Sequence, residues 1–199
     1  MAFYVLETAQ KWGDAGTLLI RGSGFHETRD SPLLLQRTGP FVPSLSVNLG
    51  RLVVAPRSLE EFKTRWGDLL VEKPLVLQKV ARSKWDGTLR EGEVIAWEDE
   101  PESIIFDGPH SEKTAALIGK LTAFEPVNAI RILSRKMDDT KDPPIMSYRG
   151  DAPKASLGEL IYPGGFGIYC DDSFKDWICD NPSYNLWFEF HPMIRLGAE

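Results

Sequence analysis

Hydrophobic and polar positions are patterned most clearly from Gly167 to Ile194. An apolar run (Gly167 to Cys170) leads to Asp171, Asp172 and Ser173, after which Phe174, Trp177 and Ile178 recur at helical spacing. Ser173 with Asp176 three residues on is a weaker form of the capping box and predicts the helix start. Asn181 and Pro182 end that helix. Leu186, Phe188 and Phe190 then alternate with Trp187, Glu189 and His191, which predicts a strand with one face in the core.

The same shape occurs earlier. The run LVVAPRSLEEF from Leu52 to Phe62 aligns without a gap on GIYCDDSFKDW from Gly167 to Trp177. In the first copy Ser58 and Glu61 make a full capping box, Leu59, Phe62 and Trp66 form the apolar stripe, and Pro74 to Leu77 restarts a strand. The chain therefore carries two similar strand–helix–strand units, over 47–81 and 163–196. Helices this short are marginal alone, so each must lean on a sheet.

Elsewhere the pattern predicts strands at Phe3 to Leu6, Thr17 to Arg21, Leu33 to Leu35, Val47 to Ala55 (with a turn or bulge at Asn48 to Gly50), Leu75 to Val80, Val94 to Trp97, Ser103 to Phe106 and Val127 to Leu133. Gly13 to Gly16 reads as a turn. Ser111 caps a helix through Ala115, Leu117, Ile118 and Leu121 towards Phe124. Residues 134–155, polar and proline-bearing, read as a long surface loop or an extended interface arm. Many strands with few short helices predict an α+β fold, mainly antiparallel sheet, in a single domain over 1–199.

Composition narrows the function. The 199 residues have no apolar run near the ~20 needed to cross a bilayer, and Glu7 falls where a signal peptide would still be apolar. A cytoplasmic location is expected. A net charge of −6 argues against nucleic acid or an anionic membrane as partner and leaves room for a basic protein. The two cysteines, Cys170 and Cys179, read as buried thiols, and with three scattered histidines they make no metal set.

Candidate chemistry is sparse. Gly22 to Gly24 and Gly164 to Gly167 lack the strand, helix and lysine context of a phosphate cradle and read as tight turns. His26, His110 and His191 are candidate bases, and His26 has Ser23, Glu27 and Thr28 beside it, but closeness in sequence does not make a triad, and His191 reads as a partly buried structural histidine. No cofactor is implied. The carboxylates say more: Glu98, Asp99, Glu100 and Glu102 form an acidic loop beside Trp97, and Asp171, Asp172, Asp176 and Asp180 ring the second capped helix, with Asp171 and Asp172 favouring its N-terminal dipole. The ordinary reading is a solvated face. The functional reading is an acidic plug for a basic cleft on another protein, with Trp187 and Tyr184 as exposed aromatic anchors and Trp177 in the core.

At LVVAPRSLEEF, at GIYCDDSFKDW and at the closing FEFHP (Phe188 to Pro192), the chain resembles immunity protein family eleven, bacterial immunity proteins of polymorphic toxin loci. FYVL from Phe3 to Leu6 is similar to that family's opening strand. The resemblance covers about a third of the chain, and Pro56 before the helix departs from it. It implies a cytoplasmic antitoxin, with no catalytic residues, that occludes the active site of a cognate toxin or effector, such as one delivered by type VI secretion. The competing expectations are a small hydrolase or small-molecule-binding protein using the Gly22 to Glu27 loop and His191, and a phage or mobile-element structural protein.

Overall fold

A computed structural model describes residues 1–9, 13–83 and 101–197, with the backbone alone described for 13–15 and 101–102. In chain order the elements are β1 (Phe3–Thr8), α1 (Gly13–Arg21), β2 (Ser23–Phe25), β3 (Leu33–Gly39), β4 (Leu45–Asn48), β5 (Arg51–Val54), α2 (Leu59–Trp66), β6 (Leu70–Lys73) and β7 (Leu75–Arg82). They continue with α3 (Pro101–Phe106), α4 (Glu112–Ile118), β8 (Thr122–Pro126), β9 (Asn128–Asp138), β10 (Ile145–Gly150), β11 (Leu157–Tyr162), β12 (Gly165–Asp171), α5 (Asp172–Asp180) and β13 (Phe188–Arg195).

The fold is α+β and mostly strand, but it is not simply antiparallel. Six strands close a barrel in the order β1-β12-β11-β9-β10-β13, in which β9–β11 and β10–β13 pair in parallel. A four-stranded antiparallel sheet, β4-β5-β8-β6, and a three-stranded sheet, β2-β3-β7, make up the rest. Val5, Ile130, Ile132, Met146, Tyr148, Leu160 and Tyr169 cluster as one core, drawn from β1, β9, β10, β11 and β12. A larger core joins the outer face of the barrel (Leu6, Ile168, Phe188) to Leu52, Val54 and Phe124 of the four-stranded sheet and to α2 and α5. A third lies on the opposite face of that sheet, where Val53 and Ala55 meet Leu33, Leu35, Val80 and Ile118. All of β5 is buried because the sheet is covered on both faces, so Leu52 to Val54 read as a continuous apolar run rather than an alternation.

The two strand–helix–strand stretches adopt a common topology. Strands β5 and β6, joined through α2, both pair antiparallel to β8, which lies between them. Strands β12 and β13, joined through α5, both pair antiparallel to β1, which lies between those two. The returning strand of the first unit is thus β6, and the predicted Leu75 run goes instead to the three-stranded sheet as β7. The two helices stack on one another through Trp66–Phe174 at 4.9 Å, Trp66–Trp177 at 5.8 Å and Phe62–Trp177 at 6.0 Å between ring centroids. This seam supplies the burial that neither short helix could find alone.

Several sequence expectations need correction. Gly13 to Arg21 is helical throughout: Leu19 and Ile20 are buried, and the Gly22 amide closes the last turn on the Leu18 carbonyl at 2.6 Å. Ser103 to Phe106 is also helical, with Pro101 at its first position, where a missing N–H costs nothing. The Ser111-capped helix stops at Ile118 because Gly119 takes φ 75°, which only glycine adopts freely, and Phe124 belongs to β8. The polar stretch from 134 is largely a hairpin of β9 and β10. The expected strand at Val94 to Trp97 lies outside the described residues.

Candidate functional site

Helix α5 presents opposite chemistries on its two sides. Phe174 and Ile178 are buried, and Trp177 is half-buried against Tyr184 at 4.7 Å. On the solvent side Asp172, Asp176 and Asp180 follow one another at four-residue intervals, forming a single acidic ridge. Asp172 accepts a hydrogen bond from the Tyr4 hydroxyl of β1 at 2.9 Å, and this bond raises the tyrosine pKa. Lys175 lies 4.8 Å over the Tyr4 ring and 3.8 Å from the carboxylate of Asp176, whose side chain is 65% exposed. The next acidic side chain towards α2 is Glu61, which accepts hydrogen bonds from Asn181 and from the Tyr184 hydroxyl at 3.3 Å each.

Both helix caps differ from expectation. Asp171, not Ser173, caps α5 by accepting a hydrogen bond from the Phe174 amide at 3.2 Å, and it is buried. Ser58 precedes α2 without a side-chain cap bond, and its intended partner Glu61 is engaged across the seam instead. Trp187 is buried too, packed on Phe41 at 5.3 Å, and Tyr184 is fully buried, so neither is a surface anchor. Glu98, Asp99 and Glu100 lie outside the described residues. Glu102 is placed in the helical backbone of α3. Of the acidic and aromatic residues singled out in the sequence, the structure brings Asp172, Asp176 and Asp180 together on one surface.

The histidines do not converge. The Nδ1 of His26 lies 2.9 Å from the Thr28 carbonyl, and its ring packs on Phe166 at 5.8 Å. His191, opposite Val5 in the barrel, has Nε2 at 3.8 Å from Glu7 and 4.0 Å from Glu189. His110 accepts a hydrogen bond from the Val80 amide. The Gly22 to Glu27 loop is filled from below: Asn48 donates to the Gly22 carbonyl at 3.2 Å and packs under Gly24. Cys170 is buried, and burial pushes its thiol pKa up. Cys179, expected to be buried, is exposed, and both are free thiols. Among the described residues no group of three or more His, Cys, Asp or Glu side chains could hold a metal ion.

Sequence reasoning missed an ionic hub between the barrel and the four-stranded sheet. Arg29, from the loop after β2, reaches Glu159 of β11 at 2.6 Å and Glu125 of β8 at 3.4 Å. Glu125 also meets Lys73 at 3.0 Å and Arg51 at 3.9 Å, and Arg51 donates to the carbonyls of Arg29 and Ser31. Burial is the main cause that raises the Glu159 pKa to about 7; Arg29 opposes the rise and Glu125 adds to it. The available signal was a lone glutamate inside each of two apolar strands, TAFEP and LGELIY. The hub ties five segments together: the loop after β2, and strands β5, β6, β8 and β11.

No protein-family model matches this chain, and no curated protein or solved structure matches it. Among the described residues no helix is long and apolar enough to cross a membrane.

Proposed function

We propose that this chain is a cytoplasmic immunity protein that binds a cognate toxin or effector protein and blocks its active site by surface complementarity. The observation that carries this reading is the acidic ridge of α5. Like charges four residues apart disfavour a helix, and Asp180 sits at the helix C-terminus, where the dipole repels an anion. Asp172 suits the helix N-terminus and is held by Tyr4, but Asp176 and Asp180 add little to the isolated fold and are suited to a basic partner. Electrostatic complementarity of this kind steers association and selects partners. The residue patterns shared with immunity protein family eleven support the same role, and the Glu98 to Glu102 loop remains a second contact on sequence grounds.

Co-expression with the product of the neighbouring gene tests the reading. A stable complex and rescue of growth are expected; a toxic neighbour that this chain neither binds nor neutralises would end it. The second reading, a small hydrolase or small-molecule-binding protein using the Gly22 to Glu27 loop, rests on His191, which lies near Glu7 and Glu189 and whose buried Nδ1 has no hydrogen-bond partner among the described residues. Replacement of His191 and His26 by Ala decides it, since unchanged biological activity would remove that option.

A further inference from the structure

A second surface of opposite sign lies on the barrel. Strand β9 pairs with β11 through Arg131 and with β10 from Ile132 onward, and the register shifts where Arg149 and Gly150 face Ser134 and Ile132. A groove of about 410 Å³ opens beside this irregularity, lined by Arg131, Leu133, Arg149, Asp151, Arg195 and Leu196. Gly150 also lines it, at φ 152°, where an added Cβ would stand 2.2 Å from the Arg131 carbonyl oxygen. Only glycine fits there, so the chain path at this edge of the groove is fixed.

The lining is basic and apolar. Leu133 is 60% exposed and Leu196 43%, and all three arginines are exposed. Asp151, the acid in the lining, is engaged by the Arg131 backbone amide at 3.1 Å. The Arg195 Nε donates to the Gly150 carbonyl at 2.9 Å, which holds that side chain across the groove. Among the described residues the Arg131 guanidinium has neither an ion pair nor a hydrogen bond. In a chain of net charge −6, this is a local reversal of sign.

We infer that this groove docks an extended acidic segment of a partner protein, with carboxylates on Arg131 and Arg195 and an apolar side chain between Leu133 and Leu196. Charge complementarity selects the occupant. Guanidinium groups pair with carboxylates in a fixed fork geometry, and the exposed leucines offer apolar surface to a side chain between them. The inference is independent of the α5 ridge and adds a second contact of opposite charge.

The test uses the whole chain and a fluorescein-labelled peptide of sequence EELEE, followed by anisotropy. Saturable binding below about 200 μM is expected, weakening as salt rises. Arg131→Glu should weaken it at least about tenfold and Leu133→Ser about threefold, with melting unchanged because both side chains are exposed. Arg131→Glu should not weaken any binding of the peptide KKLKK, and Asp176→Lys with Asp180→Lys should leave EELEE binding intact. That pair of variants separates failure here from failure of the immunity reading. No saturation, or equal affinity in Arg131→Glu and Leu133→Ser, would overturn the inference. So would equal binding of a charge-matched oligonucleotide, or a wild-type dimer that Arg131→Glu abolishes, since the groove would then serve nucleic acid or a second copy.

Discussion

The ionic hub and the α5 ridge use the same carboxylate chemistry in opposite settings. Glu125 and Glu159 are buried among Arg29, Arg51 and Lys73, so each charge there must be balanced by a fixed neighbour. Asp176 and Asp180 are exposed to water, with Lys175 at 3.8 Å from Asp176. The comparison teaches that burial, not charge, separates acids that hold the molecule together from acids available to a partner.

The largest effects should fall in the buried regions. Glu125→Ala leaves Arg51 buried without its carboxylate and should cost about 3–5 kcal/mol, read by urea unfolding. Phe174→Ala, which opens the seam beneath the ridge, should cost about as much, ~3–5 kcal/mol. If either variant unfolds at the wild-type midpoint, the division between framework and surface fails.

Glu159→Gln sharpens the comparison through pH. The folded-state pKa of Glu159 is raised to about 7 from an ordinary 4.5, so the proton is held more tightly in the folded chain. The contribution of this group is complete below pH 4.5 and is lost as pH rises to about 7. Glutamine cannot titrate. The melting temperature of Glu159→Gln relative to wild type should therefore climb from pH 4.5 to 7 and then level off. A difference that stays flat would mean that folding leaves the pKa of Glu159 unshifted, and one that falls would mean that the folded chain favours its charged form.

The smallest effect belongs to the ridge. Asp176→Asn and Asp180→Asn relieve like-charge spacing and should change stability by no more than about 0.5 kcal/mol, towards greater stability. A clear loss would mean that these acids serve the fold.

Much of this contrast was legible in the sequence, and its limits are physical. The apolar stripe Phe174, Trp177, Ile178 and the flanking strands follow from local periodicity, as do the four-residue spacings of the ridge. The closure of the barrel does not, because the parallel pairing of β9 with β11 and of β10 with β13 is long-range. Leu18 to Ile20 failed as a strand because a short apolar run is equally a buried helix, and the decisive mark was Gly22 just beyond it. Ser173 lost the cap to Asp171 because both residue types serve and the strand end fixed which one turned in. Trp187 and Tyr184 were misplaced because an aromatic side chain in a turn carries no periodic sign of which way it points.

The most direct measurement is the affinity of the co-expressed partner for wild type and for the Asp176→Lys, Asp180→Lys variant, by titration calorimetry at two salt concentrations. The account predicts a loss of at least about tenfold, with the salt dependence reduced and the melting temperature held. Equal affinity and equal protection by the reversed-charge variant would contradict it.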